Sequence, residues 1–150
     1  MSWAWSRRAL AAADVLWTAS LVVAAYAASH AGAGAAARLI ATVDYAVGSI
    51  VCHQRPERSF HLWGAQLPVC ARCTGIYAGA IAGALLPLRG RIGRAGWFLA
   101  LAASPALASL AYEWIAGSTP SNMVRAATGV LLGAAVMIVL RGELRSGEVN

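Results

Sequence analysis

The run TGIYAGAIAGALLPL, residues 74–88, carries no charged side chain and sets Gly75, Gly79 and Gly83 four residues apart. That spacing puts all three on one helix face. A glycine face inside an uncharged run is how helices approach one another where lipid offers no hydrophobic drive. The run therefore predicts a membrane helix with a close helical neighbour. Outward from it lie three more uncharged runs: Val15–Ser29, extendable back across Asp14 to Ala9, then Ala95–Tyr112 and Ala126–Leu140. Gly129 and Gly133 repeat the four-residue spacing in the last of these, so the second and fourth spans are expected to touch. The same faces suit association with a second copy of the chain.

Composition agrees with this reading. The 150 residues allow a single domain, 1–150, and they are 59% hydrophobic and 12% charged, against roughly 25% charged in soluble domains. A mean hydropathy of +0.62 excludes a disordered chain as well as a soluble one. The fold expected is all-α: an integral four-transmembrane-helix bundle with spans at about 9–29, 74–88, 95–112 and 126–140. An amphipathic helix at about 36–51 and a Cys/His loop over 52–73 complete it. The second and fourth spans fall short of the roughly 20 residues that a ~30 Å hydrocarbon core requires, so flanking residues or local thinning must finish them.

All twelve basic residues are arginine, and the formal net charge is +6. They fall in short clusters between apolar runs, as topology determinants do, so the bilayer is the expected partner and nucleic acid is not. Arg7 with Arg8, and Arg89 with Arg91 and Arg94, hug span ends. The positive-inside rule then puts both termini in the cytoplasm of a multi-pass cell-membrane protein, with His30 to Cys73 outside. The first span also has signal-peptide features, including Ala25-Tyr26-Ala27, but its apolar run is long enough to be retained as a span. Trp17, Trp97 and Trp114 stand near span ends and are expected to be interfacial anchors.

Between the first two spans, Leu39, Ile40, Val43, Val47, Ile50 and Val51 form an apolar stripe at helical spacing, and Arg38, Thr42, Tyr45 and Ser49 a polar one. This is a helix suited to a membrane or bundle surface, with Asp44 and Arg38 expected on its solvated side.

The chemistry is concentrated where that helix ends. All three cysteines and two of the three histidines fall within residues 52–73. Cys70 and Cys73 are spaced to share one side of a helix start, Pro68 suits the boundary, and first-turn N–H groups favour thiolate. Cys52 adds a third sulfur, and His53 or His61 a nitrogen, which makes a tetrahedral site for zinc or copper the leading reading. Covalent c-type haem is disfavoured because Thr74 follows Cys73, and a four-cysteine cluster lacks its fourth thiol. Two other readings stand beside metal binding. One is a membrane thiol-disulfide oxidoreductase using the CxxC pair; the other is a non-catalytic assembly or lipid-binding subunit whose cysteines staple the loop. No serine-hydrolase constellation is visible.

Arg55, Arg58 and Arg72 flank the thiols with only Glu57 among them, so an anionic ligand is expected near Arg58 and Arg72. On the same outer face, Asn122, Arg125 and Thr128 recur every three residues into the last span, and Glu113 ends the span before it. An intramembrane arginine needs a partner, and Glu113 is the natural one for Arg125. Together Arg58, Arg72, Glu113, Asn122 and Arg125 form the candidate ligand-binding set. Ser118 or Thr119 before Pro120 reads as the cap of the last helix.

The segments Cys52-His53-Gln54 with Pro56 to Phe60, and Pro68 to Cys73 with Gly75-Ile76-Tyr77, resemble the CHQ-x-PERSF and PVCxRCxGIY hallmarks of an uncharacterised prokaryotic family of small predicted membrane proteins. A looser similarity runs from Ser118 to Gly129. Where the family's pattern has Asp-Gly, this chain has Glu113-Trp114. The resemblance implies a membrane location and carries no activity with it.

Overall fold

The computed structural model describes residues 3–86 and 94–146. The arginines at 89 and 91, expected on the inner side, and the last residues expected for the second span, 87 and 88, lie outside them. Helix α1 runs Trp3–Ser29, α2 Ala35–Val51, α3 Ala71–Leu85, α4 Ala95–Ala116 and α5 Asn122–Ser146. Between α2 and α3 come a 3-10 turn, Pro56–Arg58, and a two-stranded antiparallel hairpin, β1 His61–Leu62 and β2 Ala65–Gln66. The hairpin turns through Trp63 and Gly64, both at positive φ, the two-residue geometry that matches strand twist. It was not foreseen, because two-residue strands leave no alternation to read.

The described residues are thus all-helical apart from the hairpin. Among the described residues three helices are long and apolar enough to cross a membrane: Arg8–Ser29, Ala95–Ala116 and Asn122–Leu144. Helices α4 and α5 outrun the expected spans: α4 continues through Glu113 to Ala116, and α5 begins at Asn122 and runs past Leu140 into polar residues. Helix α3, expected as the second span, has 15 residues and is about 22 Å long at 1.5 Å per residue, short of a ~30 Å core. Its end is finished from a neighbour: Arg141 of α5 donates from Nη1 to the Gly83 and Leu86 carbonyls, at 3.0 and 3.1 Å. These are among the last carbonyls that a helix leaves unpaired.

The α3–α5 contact sets the frame. Gly75, Gly79 and Gly83 face the backbones of Ala126, Val130 and Ala134, while Gly129 and Gly133 face those of Arg72 and Ile76. Partner numbers rise together, so the two helices run parallel, in register and nearly backbone to backbone. All five glycines are buried in this contact. The faces expected to serve a second copy are occupied within the chain.

Helix α2 corrects a second expectation. Its buried residues are Asp44 and Gly48, and Asp44 is 4% exposed rather than solvated beside Arg38. Arg38 instead donates from Nε to the Ala33 carbonyl at 2.8 Å. The apolar stripe is exposed at Leu39, Val43, Ile50 and Val51, and Arg38, Thr42 and Ser49 are exposed on the other flank. The helix presents an apolar flank, a polar flank and a packed edge between them, an arrangement suited to a membrane boundary.

Two smaller expectations also change. Trp97 and Trp114 are exposed, as anchors should be, but Trp17 is partly buried and meets Tyr77 edge to face at 6.0 Å. The last helix is capped by Ser121, whose Oγ accepts from the Val124 amide at 3.4 Å, because Pro120 lies before the helix instead of in its first turn. Gly117, at φ +62, closes α4 in the left-handed conformation that glycine adopts without cost.

A β-carbon at position 79 would collide with the Val130 backbone, whereas one at 96 would meet nothing. Gly79→Val is therefore expected to destabilise the protein by about 1–3 kcal/mol or more and Gly96→Ala to leave it unchanged, as read by thermal unfolding in detergent. Equal midpoints for the two variants would contradict the backbone contact.

Candidate thiolate and arginine site

The cysteines reach one place from two segments. Cys52 caps the C-terminus of α2, Cys70 the N-terminus of α3, and Cys73 stands in the first turn of α3. Their Sγ atoms all lie within 4.8 Å of one another, a grouping able to hold a metal ion. The Cys70 backbone N–H donates to Cys52 Sγ at 3.2 Å. Leu21, Cys52, Val69 and Cys70 form one buried cluster, with Trp17, Cys73 and Tyr77 packed against it. Leu21 precedes the end of α1 by eight residues, about 12 Å along its axis, so the thiols pack against the body of that helix and not its C-terminal tip.

Gln54 holds the two segments together. It stands at φ +45 and donates from Nε2 to the Tyr45 carbonyl at 2.9 Å and the Pro68 carbonyl at 2.7 Å. Gln66 in turn donates to the Gln54 carbonyl at 2.7 Å, and the Tyr45 hydroxyl donates to the Gln66 carbonyl. Gly48 lets this network close, since a β-carbon there would strike both the Pro68 carbonyl and the Gln54 amide. Sequence reading missed Gln54, Gln66 and Tyr45 as positioning residues. The one signal was Gln54's place between the thiol and the arginines.

Neither histidine belongs to the sulfur group. His53 is exposed and accepts from the Arg55 amide at its Nδ1, 3.3 Å away. His61 is exposed on β1. The three thiols alone are therefore the grouping that could hold a metal ion, with neither histidine among them.

Cys70 carries an acidic thiol. Its thiol is pulled down to about 4, first by the hydrogen bond from the Cys73 side chain. Burial opposes this; the Cys73 backbone, the Cys52 side chain and the nearby His53 add to it. A thiolate at a helix N-terminus ringed by donors is both a metal ligand and a nucleophile.

Beside the thiols stand the charged residues. Arg125, 2% exposed, pairs with Glu113 of α4. Arg58 reaches the other carboxylate oxygen of Glu113 at 3.6 Å, and its Nε lies 4.0 Å from Glu57. Arg72 donates to Ser109 Oγ at 2.8 Å, a partner that sequence reading did not single out. Asn122 donates to the Ser59 carbonyl at 3.0 Å, tying the loop to α5. The fold thus brings Arg58, Glu113 and Arg125 into direct contact and sets Asn122 in the wall beside them.

Since the Cys73 hydrogen bond is the largest pull on Cys70, Cys73→Ala should return the Cys70 thiol upward toward ordinary thiol values near 8.5. Iodoacetamide labelling of Cys70, followed by peptide mass spectrometry from pH 4 to 9, should show wild type reactive at pH 6 and the variant slow there. Identical pH profiles would contradict the assignment.

A family model described as predicted membrane protein (DUF2085) matches residues 52–139, from the first thiol into the body of α5. The uncharacterized protein MJ1492 of Methanocaldococcus jannaschii is 32% identical over 108 residues, 69% of this chain and 69% of that protein. An uncharacterized protein of Methanothermobacter thermautotrophicus is 60% identical over 30 residues, 20% of this chain and 27% of its own length. No solved structure matches.

Proposed function

The chain belongs to the DUF2085 family of predicted membrane proteins, and from that premise we propose that it binds zinc or copper(I) at the membrane surface through Cys52, Cys70 and Cys73. One observation carries this reading: three Sγ atoms from two separate segments lie within 4.8 Å of one another. Sulfurs around a tetrahedral ion at ~2.3 Å stand about 3.8 Å apart, so a small contraction closes the site. Three thiolates suit a soft ion, and an open fourth position suits exchange of that ion or of a bound ligand.

In this proposal α3 is a fourth, short crossing. Its parallel contact with α5 and its end-capping by Arg141 support that reading, with the bilayer thinned locally around it. The arginines at 7, 8, 89, 91 and 94 favour cytoplasmic termini and a thiol centre toward the outer side. The polar and apolar flanks of α2 favour a helix at that outer boundary.

Anaerobically purified protein is expected to carry close to one zinc or copper per chain by elemental analysis, and Cys70→Ser to lose most of it while His61→Ala retains it. A full metal load in Cys70→Ser would overturn the proposal. The low pKa of Cys70 favours one second reading, thiol-disulfide exchange with a membrane quinone as oxidant: the Cys70 and Cys73 thiols lose two electrons and two protons, and quinone becomes quinol. Thiols that stay reduced after incubation with oxidised quinone would rule that reading out.

A further inference from the structure

Of the three arginines beside the thiols, two share one buried carboxylate. Arg125 and Arg58 both address Glu113, Arg72 is spent on the neutral hydroxyl of Ser109, and Glu57 is a largely exposed acid at the rim. Arg58 and Arg72 lie within electrostatic reach of Arg125, as does Cys70. Three guanidinium groups less Glu113 leave two positive charges in excess, or one where a Cys70 thiolate is counted. Partly buried cations in excess of their counter-charge are costly, and an anion relieves the cost.

The hydrogen-bond inventory points the same way. The Nε–H groups of Arg58, Arg72 and Arg125 are each buried, and among the described residues none has a hydrogen-bond partner. Arg125, the most enclosed, comes from α5, Arg72 from the first turn of α3, and Arg58 from the 3-10 turn. These are three buried donors from three elements, two of them beside Glu113 and one on Ser109, each open to an acceptor. Arginine's planar fork matches the oxygens of a phosphate group.

We propose that Arg58, Arg72 and Arg125 form a binding site for a phosphate-type oxyanion, set beside the thiol centre and entered past the partly exposed Arg58. The shared chemistry is a tetrahedral phosphate with one or two negative charges, supplied either as free phosphate or as the phosphodiester of a lipid headgroup at the membrane boundary. The site stands on the arginine geometry and does not require a metal on the cysteines.

The test uses the full chain purified in detergent. Radiolabelled inorganic phosphate is followed by equilibrium dialysis, and phosphatidylglycerol binding by native mass spectrometry. One phosphate or one lipid per chain is expected, weakened about tenfold in Arg58→Gln and in Arg72→Gln and unaffected in Arg38→Gln. Circular dichroism confirms that each variant is folded, and Arg125 is left intact because it pairs with Glu113. Phosphate binding would identify a free oxyanion as the ligand, and lipid binding alone a headgroup. Saturable binding of neither, or binding indifferent to both arginine variants, would overturn the site.

Discussion

Everything distinctive about this molecule depends on the backbone contact between α3 and α5. Five glycines let the two helices run parallel at a separation that side chains would forbid. That register sets the N-terminal turn of α3, with Cys70, Arg72 and Cys73, level with the first turns of α5, which carry Asn122 and Arg125. The contact also explains how so short a helix is held, since Arg141 on the longer α5 reaches back to cap its last carbonyls. Where lipid removes the hydrophobic drive between helices, close packing and hydrogen bonds do this work.

On that frame two groups of opposite charge preference are set side by side. Thiolates at a helix N-terminus are favoured by exposed backbone donors, and guanidinium groups nearby favour them further. The buried carboxylate of Glu113 joins α4 to this arrangement by pairing with both Arg125 and Arg58. Loop, α4 and α5 are therefore held together by charge as well as by packing, and α3 joins them through the Arg72 bond to Ser109. The loop itself is rigidified by amide-to-carbonyl bonds from Gln54 and Gln66, which bring Cys52 under Cys70 across eighteen residues.

The membrane class, the helical elements and the close approach of α3 to α5 were all legible in the sequence, because uncharged runs and four-residue glycine spacing have few physical alternatives. So were the gathering of Cys52 with Cys70 and Cys73 and the Glu113–Arg125 pair, since isolated intramembrane charges need partners. What escaped reading depends on which side of a helix faces the protein. Asp44 lies between an apolar and a polar flank, and periodicity cannot tell a packed edge from a solvated one. Trp17 stands near a span end in sequence yet is drawn inward by Tyr77. The hairpin at 61–66 and the Gln54 clamp are set by three positive-φ residues and by side-chain-to-backbone bonds, which carry no period. The histidines were grouped with the thiols by proximity in sequence, but a chain leaving α2 in extended conformation turns His53 outward.

The most direct test of a single three-thiolate centre is X-ray absorption at the metal edge of zinc- or copper-loaded protein. The arrangement of Cys52, Cys70 and Cys73 predicts three sulfur scatterers at about 2.3 Å for zinc, or a sulfur-dominated shell for copper(I). A first shell made mainly of nitrogen and oxygen, or one holding a single sulfur, would contradict it.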